Sequence, residues 1–160
     1  MQDAFGSLMR GVGERLLQGE LSIDNGVSVV IGIDDMLVSA YHLEGPDQVL
    51  LYTEVAPLPA EGREPLYAAL LEGQTFFRDT AGATLSVNAE AGSVLLQMVL
   101  PLRLLDVEGM LRILENFVQV GRHWRAVCSR LAGQQQDSGT GAASGDEAAP
   151  PLPPGAMLRV

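Results

Sequence analysis

Ser93-Val94-Leu95-Leu96-Gln97-Met98-Val99-Leu100-Pro101 is followed closely by Asp106-Val107-Glu108-Gly109-Met110-Leu111, and the change of period between the two stretches decides the fold. From Val94 to Leu100 apolar side chains fall on both faces of a strand: Val94, Leu96, Met98 and Leu100 on one, Leu95 and Val99 on the other. Such a strand is either central in its sheet or part of a contact surface. After Asp106, which suits a helix cap with Glu108 in the positive first turn, the period changes to 3.6. Val107, Met110, Leu111, Leu114, Phe117, Val118, Gly121, Trp124, Cys128 and Leu131 keep that period for about seven turns.

Upstream, Thr84 to Ala89 and the turn Glu90-Ala91-Gly92-Ser93 pair with this strand as a hairpin. Before it, Pro65 suits the first turn of a second helix whose face is Leu66, Ala69, Leu70, Gly73 and Phe77. Val27, Val29, Ile31 and Ile33 alternate with Ser28, Val30 and Gly32, and two more β-prone runs, 36–43 and 48–55, flank the turn Glu44-Gly45-Pro46-Asp47. These make a three-stranded meander. At the N-terminus Phe5, Leu8, Met9, Val12 and Leu16 recur at helical spacing, with Gly11 and Gly13 weakening the helix by about 1 kcal/mol each. The order α-β-β-β-α-β-β-α describes an α+β domain, a twisted antiparallel sheet with segregated helices.

The composition changes after Leu131. A glutamine triplet, a Gly/Ser/Ala stretch and Pro150-Pro151-Leu152-Pro153-Pro154 have too few apolar side chains to offset ordering entropy. Residues 1–132 are therefore expected to form one domain and 133–160 a flexible tail. Its ending, Met157-Leu158-Arg159-Val160, is apolar again, by chance or because it docks on a folded surface.

Composition excludes several chemistries. All ten basic residues are arginine, so a phosphate-loop lysine, a Schiff base and a pyridoxal site are ruled out. A net charge of −10 repels a phosphate backbone, which makes nucleic acid an unsuitable partner. Cys128 is alone, so neither an internal disulfide nor a thiolate metal cage is expected, and a reducing compartment fits. With no run near ~20 apolar residues and no basic-flanked leader at Met1-Gln2-Asp3-Ala4-Phe5, the chain reads as cytoplasmic, with no membrane partner.

No active site emerges. His42 and His123 belong to no ligand-spaced cluster, Asp34-Asp35 read as a solvated turn, and Cys128 lies on an apolar stripe. Gly6 to Gly13 is not a dinucleotide fingerprint and follows no strand. The expectation is no enzyme, no cofactor and no metal. What stands out is more apolar face than one small sheet can cover, which points to protein partners, a second copy first among them. A small hydrolase or lipid-binding domain would instead show a closed cavity with titratable residues converging on it.

Leu66, Leu70 and Leu71 before Phe76-Phe77, the strand entry Gly82-Ala83-Thr84-Leu85, Leu100-Pro101-Leu102, Leu105-Asp106, Leu111, Leu114, Glu115, Phe117, Val118 and Trp124 carry a family likeness. In order and spacing they resemble the Tir-chaperone (CesT) family, the small acidic class I chaperones of bacterial type III secretion. The likeness is specific over Leu66 to Leu131 and loose over residues 1–132. Members often carry an asparagine just before the phenylalanine of the second helix, and here Gln74-Thr75 precedes Phe76. The tail is longer than usual, and its last residues look like the ending of some members, including regulatory ones.

The resemblance implies a homodimer that binds the N-terminal chaperone-binding segment of a secreted effector in extended form. The related alternative is a regulatory protein of the same fold that sequesters an anti-activator and couples secretion to transcription. By the same resemblance, client pockets fall on Phe5, Leu8, Met9, Val12, Leu16, Val29, Ile31 and Ile33, and the dimer interface on Leu70, Phe76, Leu85, Val87 and Leu96. Each of these residues also reads as ordinary core.

Overall fold

A computed structural model describes residues 3–16, 23–24 and 26–140. Helix α1 (Ala4–Leu16) is followed by β1 (Ile23–Asp24), β2 (Ser28–Ile33), β3 (Met36–Leu43), β4 (Gln48–Pro57), α2 (Glu64–Gln74), β5 (Thr84–Asn88), β6 (Ser93–Pro101) and α3 (Val107–Thr140). The antiparallel sheet has the order β1-β2-β3-β4-β6-β5. The two-faced run Val94–Leu100 is indeed internal, paired with β4 on one side and β5 on the other. The α+β order expected from the sequence is present, with the two-residue β1 added at one edge. Two residues are too short a run for periodicity to register.

Alternation sorts the sheet into two faces. Val29 and Ile31, Met36, Val38 and Ala40, Val49, Leu51 and Val55, and Val94 and Leu96 are buried with Phe5, Met9 and Val12 of α1 and with Met110, Leu114, Phe117 and Val118 of α3. Both long helices therefore cover one face. The buried Thr53 hydroxyl on that face donates to the Leu37 carbonyl at 2.8 Å.

Local signals set the helix ends. The Asp106 carboxylate accepts from the Gly109 amide at 2.7 Å, the cap expected from the sequence, and Asp3 does the same for Gly6 at 2.9 Å. Gly11 has a packing reason: a methyl group there would meet Val107 Cγ2 at 2.7 Å, so the glycine lets α1 approach the start of α3. At Gly73 a methyl group would fall inside the Trp124 ring, which fixes how close α2 lies to α3.

Two expectations are corrected. The second helix ends at Gln74, and Phe77 is not on its buried face: Phe76 and Phe77 both take φ of 53°, the left-handed region, in a short 3-10 turn. Each costs on the order of 1–2 kcal/mol there. In addition α3 continues through Gly133 to Thr140, so the compositional break at Leu131 is not the end of the helix. The rest of the proposed tail, with Met157-Leu158-Arg159-Val160, lies outside the described residues.

Candidate functional site

Beside the covered face lies an open groove of about 460 Å³. One side is α3, where Leu111 is partly exposed and the core residues Leu114 and Val118 back the groove from beneath, at i, i+3 and i+7 along one face. The other side is Ile33 at the end of β2 and Leu16 at the end of α1. Charged groups rim the apolar floor: Asp34, Glu108, Arg112, Glu115 and Arg122.

Ion pairs hold both ends of the groove. Arg15 meets Glu108 at 2.8 Å, tying the end of α1 to the start of α3. Asp34 and Asp35 form the β2–β3 turn, with Asp34 at a φ of 53°. Arg122 donates to Asp35 at 3.1 Å and to Asp34, and Arg125 donates to Asp35 at 2.8 Å. The hydrogen bond from Arg122 holds the Asp35 carboxyl below the usual aspartate range, and the bond to Asp34 raises Arg122 further. The acidic pair that reads as a solvated turn is thus the anchor of the hairpin on α3. No spacing rule could reveal a contact across 87 to 90 residues of sequence.

Ile33 also lies on β2, an edge of the sheet as far as the described residues go. β1 pairs with β2 only at Ile23↔Val29 and Asp24↔Ser28. Among the described residues, Val30 to Ile33 have no strand partner on that side. Among the described residues, the apolar groove and this part of β2 meet at Ile33.

The residues expected to line client pockets divide. Phe5, Met9, Val12 and Ile31 have no exposed surface, and Val29 and Leu8 are nearly as buried. These six hold α1 to the sheet, and the expectation that they line open pockets does not fit their placement in the folded chain. Leu16, at 38% exposure, and the partly buried Ile33 do reach the surface, and the groove brings them together. Of the expected dimer-interface residues, Leu70 and Leu96 are core, Leu85 and Val87 are partly buried against it, and Phe76 is 94% exposed.

Sequence reasoning missed two surfaces. One is the groove beside α3, where Leu111, which reads as core, is partly exposed. The other is the uncovered face of the sheet, where Val30, Leu37, Tyr41, Tyr52 and Val99 stand exposed. Tyr41 pairs with Leu50, and Leu50 with Val99, so these side chains form a band across β3, β4 and β6. Tyr67 and Leu71, four residues apart on the outward side of α2, lead toward Phe76 and Phe77. The signal for the sheet band was present in the apolar residues at every position of 36–38 and 49–51.

The remaining chemistry-bearing side chains are occupied locally. His42 stacks on Phe5 with ring centroids 5.3 Å apart and its Nε2 is 3.2 Å from Asp47 Oδ1. His123 meets the edge of Trp124, whose indole donates to the Asp79 carbonyl at 2.9 Å. Burial raises the Cys128 thiol above its ordinary range. Among the described residues no group of His, Cys, Asp and Glu could hold a metal ion, and no helix is long and apolar enough to cross a membrane.

Comparison with known proteins places this geometry. No curated protein matches the chain by sequence. By structure it is similar to a chain of the HopA1–SchA chaperone–effector complex, at 18% identity and a TM-score of 0.63, over 77% of this chain and 94% of that one. It is also similar to a chain of the ExsC–ExsE complex, at 19% identity and a TM-score of 0.65, over 76% and 90%. A third likeness is to a chain of the ExoT–SpcS complex from Pseudomonas aeruginosa, at 20% identity and a TM-score of 0.58, over 77% and 98%. The model of the Tir chaperone protein (CesT) family matches residues 7–125, from the first turn of α1 into α3. The chain therefore belongs to the Tir chaperone protein (CesT) family.

Proposed function

We propose that this protein is a type III secretion chaperone that holds the N-terminal chaperone-binding segment of a secreted effector in extended form, in the bacterial cytoplasm, and catalyses no reaction. The observation that carries this is the groove beside Ile33, where, among the described residues, β2 has no strand partner beyond Val29. Ordering a disordered client costs about 1–2 kcal/mol of backbone entropy per residue, and burying a large apolar side chain returns about 1.5–3 kcal/mol. Anchors alone would have to be dense. Main-chain bonds to an open edge add about 1 kcal/mol each and read no side chain, so many client sequences suit them. Leu16, Ile33 and Leu111 would take the anchor residue, and Val30 to Ile33 the client backbone.

The working form is a homodimer. Two apolar surfaces support this: the band on the uncovered sheet face and the ridge of Tyr67, Leu71, Phe76 and Phe77. Leu71 and Phe76 are 72% and 94% exposed, unusual for apolar side chains on a lone domain. A twofold contact uses such patches in duplicate. The regulatory alternative uses the same surfaces with a different client, and the likeness to the ExsC–ExsE complex keeps it as the second reading.

The test is co-purification from the native host with mass identification of the bound polypeptide. A secreted protein bound through its N-terminal region, lost from a Leu16→Asp, Leu111→Asp double variant, is the expected result. A transcriptional regulator as client selects the alternative. A chain that carries no polypeptide, or a small molecule in the groove, overturns both.

A further inference from the structure

A second apolar pocket lies away from the groove, where the end of β4 and the start of α2 meet the second half of α3. It holds about 100 Å³ and is lined by residues that include Ala56, Pro57, Pro59, Leu66, Cys128 and Leu131. That is more than one water needs and less than the roughly 150 Å³ that takes a benzene ring, so it suits one aliphatic side chain. Its floor is fixed. Leu66 and Cys128 are core, and Arg63 Nε donates to the Pro59 carbonyl at 2.6 Å, which ties down the β4–α2 loop. Its α3 wall lies past residue 125, where the family match ends. Neither the core nor the groove proposed for the client uses it.

We propose that the chain supplies the occupant itself: Leu158, in Met157-Leu158-Arg159-Val160, seats in this pocket and latches the segment beyond α3 onto the junction of β4, α2 and α3. After Leu131 the large apolar side chains are Leu152, boxed between prolines, and Met157, Leu158 and Val160. Residues 141–156 join Thr140 to them, and those 16 residues can reach about 50 Å. The way back along α3 from Thr140 to Leu131 and Cys128 is only about 14–18 Å. Charge agrees with this placement. Arg159 is the only basic residue after Arg130. Glu61 and Glu64 lie between Pro59 and Leu66 in sequence, exposed and in no ion pair among the described residues. Tethering supplies the rest. A linked segment meets its site at an effective concentration on the order of 1 mM, so an intrinsic Kd of about 0.1 mM leaves the pocket about 90% filled.

Cys128 is the only cysteine and lines the pocket, so its thiol reports occupancy. The experiment follows the rate at which dithiobis(nitrobenzoate) modifies this thiol in the full chain, together with methyl NOEs in a leucine-labelled sample, alone and diluted with unlabelled chains. Leu158 is expected to show NOEs to Leu66 or Leu131 that keep their intensity on dilution, as contacts within one chain do. Leu158→Asp should lose them and react about tenfold faster, the change that emptying a 90% filled pocket gives. Arg159→Glu should speed the reaction about twofold, as loss of an exposed ion pair does. Absent Leu158 NOEs with an unchanged thiol rate in Leu158→Asp overturn the latch. NOEs that weaken on dilution also overturn it, because the occupant is then a second copy, and so do NOEs from Leu152 in place of Leu158. If the thiol reacts only on global unfolding in every variant, the NOEs decide alone: present within one chain they support the latch, and absent they overturn it.

Discussion

The two faces of the sheet carry similar residues and meet different fates. On β3, Met36, Val38 and Ala40 lie under the helices while Leu37 and Tyr41 stand outside, at 67% and 41% exposure. Along β4 the inward Val49 and Leu51 alternate with Leu50 and Tyr52, and along β6 Leu96 alternates with Leu95 and Val99. An ordinary half-buried antiparallel sheet would alternate apolar with polar. Among the described residues, the second apolar face stays exposed. Stability thus resides on the covered side, and the exposed side is the one proposed for partner contacts.

Substitutions can break that division. Phe117→Ala, under the covered face, should lower the unfolding free energy by about 3–5 kcal/mol, read as a denaturant midpoint. Leu37→Ala should change it by less than about 0.5 kcal/mol. Equal effects would mean that both faces are packed within one chain. Gly73→Ala should cost about 1–3 kcal/mol, because a methyl group must displace the Trp124 ring. A wild-type midpoint there would show that α2 does not rest on α3 as described.

Phe76 sharpens the comparison because its backbone strain and its proposed place in the dimer seam oppose each other. Glycine relieves the left-handed φ of 53° and removes an exposed ring, so Phe76→Gly should stabilise the monomer by about 1 kcal/mol while weakening the dimer. Light scattering against concentration reads the second effect and chemical denaturation the first. A more stable dimer would remove Phe76 from the seam.

The smallest effect is electrostatic. Asp35 is held below its ordinary pKa of 3.8 by Arg122, so its contribution is present above that value and lost as the pH falls through the lower folded one. Asp35→Asn should flatten this part of the pH profile of stability, and 1 M salt should weaken it because the pair is exposed. An unchanged acid limb would mean that the clamp carries no linkage.

The fold was legible because its signals are local. The change of period after Leu100, the Asp106 cap and the turns at 44–47 and 90–93 each act within a few residues. The family likeness adds the expected chaperone role, and the family match bears it out. The site was legible only in part. Leu16 and Ile33 are 17 residues apart and meet Leu111 and Val118 only through the fold. Phe5 and Leu16 share one helical stripe, yet the stripe runs off the sheet before its last member, leaving Phe5 sealed and Leu16 open. Side-chain bonds such as Gln74 to Leu85 and Arg122 to Asp35 follow no spacing rule.

The central claim is that another polypeptide lies extended along the groove and the β2 edge. Amide hydrogen exchange on the complex purified from its host, compared with the chain alone, tests it most directly. The account predicts added protection at Val30 to Ile33 and slower exchange along 111–118, with the bound segment protected as a strand. Protection confined to the rest of the surface, or a partner that is folded throughout, would contradict it.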